Sequence, residues 1–252
     1  MPTRAQRSVT MTEHAVSERA WERYGAATGI AFGILLLVAI FAAPQPPHID
    51  ASAQKIATYY ANHRHAVLTA GVFGAFATVA AVLFVAHLRH VYDRVENGIE
   101  GLSTVVYATG LATIGASFFS GISATTMAFM TAQPGGLGDA GLTRALYDVQ
   151  YVGNGMTFLL VASFLAANAV GMVRGEVATP ALGWFAALIA AACTVSAIGL
   201  LTVSSYSAGW TAISLVSIVG LAAWDIAAGG MMLRYPETES AAAHRSLIVP
   251  AH

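Results

Sequence analysis

Apolar stretches alternate with short polar segments along almost the whole chain. The apolar runs fall at about residues 25–43, 65–88, 103–128, 151–173, 181–203 and 210–233. Each has roughly the 20 residues that a helix needs to cross a bilayer. A backbone in lipid must satisfy its own polar groups, so the runs predict helices rather than open strands. The expected fold is an all-α membrane protein, a bundle of six transmembrane helices. Its parts are a cytoplasmic N-terminal tail over 1–24, a six-helix transmembrane domain over 25–233 and a cytoplasmic C-terminal tail over 234–252.

The polar segments add detail. Pro44, Pro46 and Pro47 end the first span, and Asp50 is the expected N-cap of the next helix. Residues 51–62 read as a short outer amphipathic helix, with Ile56, Tyr59 and Tyr60 on one side and the tyrosines anchoring it at lipid headgroups. Val16–Tyr24 reads as a second short amphipathic helix, at the inner interface. The Gln133–Asp139 loop is rich in glycine and is expected to be irregular.

Charge sets the orientation. In a six-span arrangement Arg4, Arg7, Arg19, Arg23, Arg89, Arg94, Arg174, Arg234 and Arg245 fall on one side. Lys55, Arg64 and Arg144 fall on the other. The positive-inside rule makes the first side cytoplasmic, with both termini. The segment before the first span carries Glu13, Glu18 and Glu22 among its arginines, unlike the basic n-region of a signal peptide.

Composition agrees with lipid as the main solvent. Hydrophobic residues make up 56% of the chain and charged residues only 10%, against about 25% charged in ordinary soluble domains. A net charge of -1, with no basic patch, points away from nucleic acid. The single cysteine, Cys193, allows no internal disulfide and reads as a packing residue. Gly25, Gly29 and Gly33 in the first span, and Ser117, Gly121 and Thr125 in the third, have the spacing of close helix packing. Such stripes serve either the bundle or a homo-oligomer.

Candidate chemistry centres on Asp225, the one ionisable side chain deep inside a predicted span. Arg234 closes that helix nine residues later, so Asp225 lies about 13 Å from its inner end. A charged aspartate there costs on the order of 3 kcal/mol. It is expected to face the bundle, find a partner or hold a proton. Ser214 shares its helix face, about 20° away. By depth, Asn168, Tyr107 and His87 are candidate partners in a polar ligand-binding pocket opening toward the cytoplasm. Toward the outer side lie Tyr147, Asp148, Tyr151 and Asn154, and Asn154 with Asn168 suggests a polar path along the fourth span. Tyrosines as interfacial anchors are the plainer reading of that group.

His87, His90 and Asp93 share a 120° arc on a helix, yet they sit where interfacial residues are expected, and no metal site is assigned. No cofactor is implied. There is no GxSxG elbow, P-loop or HExxH, and no histidine deep enough to serve an intramembrane serine hydrolase.

Three stretches resemble a broad group of uncharacterised six-span bacterial membrane proteins, often found in actinobacteria. They are Ala51 to Arg64, Phe84 to Asp93, and Arg174 to Trp184. The resemblance implies the six-span architecture and carries no activity to any residue. The residues support three functions. One is binding or transport of a hydrophobic or weakly polar small molecule through an acidic site at Asp225. Another is an intramembrane enzyme on a lipid or isoprenoid, with Asp225 as a cyclase-like acid catalyst. The third is a non-catalytic membrane partner protein.

Overall fold

A computed structural model describes residues 4–95, 101–174, 178–202 and 208–234. The described residues are helical and contain no strand. The helices are α1 (Arg4–Ala42), α2 (Ala53–Asn62), α3 (Arg64–Val95), α4 (Leu102–Met130), α5 (Ala140–Val173), α6 (Pro180–Thr202) and α7 (Ala208–Arg234). All but α2 contain a segment long and apolar enough to cross a membrane. The C-terminal tail lies outside the described residues, as does part of the Arg174–Trp184 turn.

Local chemistry explains most boundaries. Prolines 44, 46 and 47 come after α1 and remove the donors that would continue it. Ser52, rather than Asp50, caps α2: its hydroxyl accepts from the Lys55 amide at 3.3 Å. The Asp139 carboxylate caps α5 through the Leu142 amide at 2.9 Å. Gly135 and Gly136 take positive φ in the turn before it, a region that side chains strain to reach. Pro180 opens α6, where a missing donor is harmless.

Two helices run beyond their apolar runs. The backbone of α1 is helical from Arg4, so the Val16–Tyr24 segment continues straight into the first span and is no separate interfacial helix. Helix α5 begins at Ala140, eleven residues before the predicted span at 151, and carries Tyr147, Asp148 and Gln150 within its length.

The six long helices form a ring. Each packs on the next in the order α1, α3, α4, α5, α6 and α7, and α7 returns to α1. The glycine stripe of α1 closes that ring. Gly25 abuts the His87 ring and Gly29 the Phe84 ring, both on α3, while Gly33 meets Ala222 and Ile226 of α7. The close approach is thus used inside the bundle.

One half of the ring is filled. Phe84, Phe164, Leu165, Met172 and Trp224 belong to its core, and the Phe164 and Trp224 rings meet edge to face at 5.9 Å. At the other half, α2 docks through Ile56 and Tyr60 against Val67, Met127 and Tyr147. The outer surface carries large apolar side chains, among them Phe76, Val79, Phe119, Leu188 and Val216. Trp21 and Tyr24 stack on that surface at 6.2 Å, at the end where Glu22 pairs with Arg94.

Candidate functional site

Asp225 is completely buried, and neither of its carboxyl oxygens has a hydrogen-bond partner among the described residues. The reason is its surroundings. On α7 it lies on the face of Ile218, Leu221 and Gly229, next to the seam where Ala222, Ile226 and Gly229 press on α1. At that seam the atoms closest to Gly33 and Gly229 are backbone and aliphatic side-chain groups. Trp224 beside it also has an indole N–H with no partner among those residues. An unpaired polar group in such a place costs about 1–3 kcal/mol, which fold stability alone gives no reason to retain.

None of the residues expected to surround Asp225 is hydrogen-bonded to it among the described residues. The Asn168 amide donates to the Phe164 carbonyl at 2.9 Å, and its carbonyl groups take the Tyr92 hydroxyl at 3.2 Å. The buried His87 ring lies on Gly25 with Nδ1 unpartnered among the described residues. Tyr107 carries the Arg89 guanidinium over its ring at 4.9 Å. Arg89 also pairs with Asp93 at 3.7 Å. Of the two asparagines of α5, Asn154 is exposed and Asn168 fully buried.

The open space lies elsewhere. A cavity of about 860 Å³ sits between α1, α3, α4 and α7, under α2, in the size range of small-molecule sites. Of the five candidate residues only Ser214 lines it. Leu221 lines it as well, and Asp225 comes one turn later on the same face. Asp225 itself does not line the cavity.

No family model, curated protein or solved structure matches this chain.

The cavity wall is mainly apolar, and among the described residues no acidic, basic or histidine side chain lines it. Ser117, Gly121 and Thr125 do line it. Their spacing was expected to mark a packing face, and only Thr125 packs in that way, against Gly71. A Cβ at Gly121 would meet nothing within 4 Å. Thr113, Ser117 and Thr125 donate to carbonyls one turn back in α4, at 2.8, 2.8 and 2.9 Å. Toward the cavity they offer lone pairs.

At the α2 end the Tyr60 hydroxyl donates to Gln150 Oε1 at 2.8 Å. Tyr59 donates to the Pro44 carbonyl, and Tyr147 to that of Pro47. These phenols, expected at lipid headgroups, tie α2 and the proline segment to the bundle. Burial pushes the Tyr60 hydroxyl well above the ordinary phenol range, reinforced by Tyr147 and Tyr59 and opposed by the bond to Gln150. Burial likewise raises Tyr59. Phe41, Phe118 and Leu215 line the cavity and are exposed, and the cavity opens to the surroundings of the bundle.

Neither this cavity nor its Tyr60–Gln150 end was legible in the sequence. Gln150 stands before the predicted fourth span, and no ionisable cluster marks the wall. The available signal was the hydroxyl stripe of α4, repeated every four residues from Thr109 through Thr113 to Ser117.

Proposed function

We propose that this is a multi-pass protein of the cell membrane that binds or transports a hydrophobic or weakly polar small molecule in the cavity beneath α2, with Asp225 as a buried acidic site. Both termini are cytoplasmic, which puts α2 and the cavity mouth on the outer side. The arginine distribution supports that orientation. The observation that carries the ligand reading is the pairing of an apolar cavity, open toward lipid, with an unpartnered carboxyl one helical turn beyond its lining residue Leu221. An apolar wall with a few convergent polar groups is the common form of a small-molecule site.

The test compares organic-extractable molecules held by the protein in nanodiscs, by mass spectrometry, for wild type, Gly121→Leu and Asp225→Asn. Gly121→Leu fills space that the fold leaves open, so the bundle should survive it. A defined molecule present in wild type and absent from Gly121→Leu supports the reading. Its additional loss in Asp225→Asn brings the acid into the site. Equal profiles of bulk lipid in all three would remove the ligand reading.

A further inference from the structure

Uncharged polar groups line the cavity at its α2 end and along α4, and their chemistry is selective. Tyr60 fixes the Gln150 side chain by donating to its carbonyl oxygen at 2.8 Å. The two amide N–H bonds of Gln150, which also lines the cavity, have no partner among the described residues. Along α4 the hydroxyls of Thr113, Ser117 and Thr125 have given their protons to the helix backbone and keep lone pairs. The cavity thus presents neutral N–H donors near α2 and neutral oxygen acceptors along one wall.

Charge is absent from the wall and occupied nearby. Arg144, six residues before Gln150 on α5, is held by Asp148 at 2.9 Å and by the Ala51 carbonyl at 3.0 Å. Neither a cation for a carboxylate or phosphate nor a carboxylate for an amine lines the cavity among the described residues. Burying an unpaired ionic head against this apolar wall is strongly unfavourable. A hydroxyl suits both sets of groups, since its oxygen accepts from an amide N–H while its proton goes to a serine or threonine lone pair.

Resting on the reading of the cavity as a ligand site, we infer that its ligand is an uncharged amphiphile with a long or fused apolar body and a hydroxylated head. The head is held by Gln150, which Tyr60 orients. The apolar body lies along α1, α3 and α7, and it enters from the bilayer past Phe41, Phe118 and Leu215.

The experiment uses three photoactivatable probes with the same diazirine-bearing alkyl chain, ending in a hydroxyl, a carboxylate or a trimethylammonium group. Each is crosslinked to the full chain in nanodiscs and mapped by peptide mass spectrometry. Labelling of α4 around Gly121 is divided by labelling at lipid-facing Phe76, which corrects for partition into the membrane. The alcohol probe should give the highest ratio, and excess unlabelled alcohol should suppress it. Gln150→Leu should lower that ratio about fivefold, the worth of one hydrogen bond. Gln150→Lys should turn the preference toward the carboxylate, and Tyr60→Phe should have a smaller effect in the direction of Gln150→Leu.

Equal ratios for alcohol and carboxylate in wild type, or no response to Gln150→Leu in a variant that unfolds like wild type, would overturn the head-group inference while leaving the cavity reading intact. Alcohol labelling that survives Gly121→Leu unchanged would remove the cavity reading itself.

Discussion

Glu22 of α1 and Arg94 of α3 meet at 2.6 Å, with the glutamate side chain 8% exposed and the arginine 35%. The pair ties two neighbouring staves of the ring at the end opposite the cavity. Removing the arginine alone leaves a nearly buried carboxylate without its counter-charge. Arg94→Ala should therefore destabilise the bundle by about 1–3 kcal/mol, with the partial exposure of the arginine keeping the loss below that of a fully buried pair. Thermal unfolding in detergent measures it. A Glu22→Gln/Arg94→Ala double variant should recover part of the loss, and an unchanged midpoint in Arg94→Ala would show that solvent satisfies Glu22.

The α1–α7 seam should be far less tolerant than the cavity wall. A Cβ on Gly33 would fall 2.6 Å from the Ala222 carbonyl oxygen, a backbone atom held within its own helix. Gly33→Ala should lower stability by about 1–3 kcal/mol, the usual range for overpacking. Gly121→Ala, into open space, should change the unfolding midpoint little. Similar midpoints for the two variants would contradict the seam.

Asp225 should be a site where stability and function pull apart. Its carboxyl is buried without a partner among the described residues, so Asp225→Val should raise stability by about 1–3 kcal/mol. The same change should reduce retention of any ligand held in the cavity. A lower melting temperature in this variant would mean that the carboxyl makes a structural bond.

Docking of α2 should weaken in strong alkali. Burial raises the Tyr60 hydroxyl far above its ordinary value. A phenol of this kind contributes its full stability below the unfolded value of about 10. The contribution declines as pH climbs past that value, because the unfolded chain then gains from ionising and the folded one does not. Hydrogen exchange of α2 amides, referenced to α6 to correct for base catalysis, should rise above about pH 10 in wild type. Tyr60→Phe should flatten most of that rise. An equal rise in both would assign it to another group.

Orientation has its own test. Gln54 is exposed on α2, and the natural Cys193 is buried. In intact cells a membrane-impermeant thiol reagent should label Gln54→Cys without permeabilisation. Labelling only after permeabilisation would invert the proposed topology.

The spans were legible because lipid demands about 20 apolar residues in a row, a signal that needs no knowledge of neighbours. Helix ends were less so. The start of α5 was misplaced because Tyr147, Asp148 and Gln150 interrupt the apolar run, while the hydrogen bonds of the helix pass through them to the Asp139 cap. Burial of Asp225 was foreseeable from the expense of a charge in the bilayer. Its neighbours were not, because depth along a helix is readable from spacing whereas rotation of six helices about their axes is not. The α4 stripe makes the point sharply. Ser117, Gly121 and Thr125 look like a packing face by period, yet whether a helix or a space lies opposite is decided by α7 and α1, more than 70 residues away in sequence.

On the proposed reading of the cavity as a ligand site entered from the bilayer, the exposed lining residues Phe41, Phe118 and Leu215 also determine what concentration means for this protein. A guest arriving sideways equilibrates with the bilayer, so occupancy tracks its mole fraction among lipids instead of its level in the surrounding water. A poorly soluble amphiphile enriched in the membrane can then saturate a site of modest intrinsic strength. Apparent affinity quoted per litre of buffer would shift with the amount of lipid in the assay, while affinity expressed per lipid would stay constant.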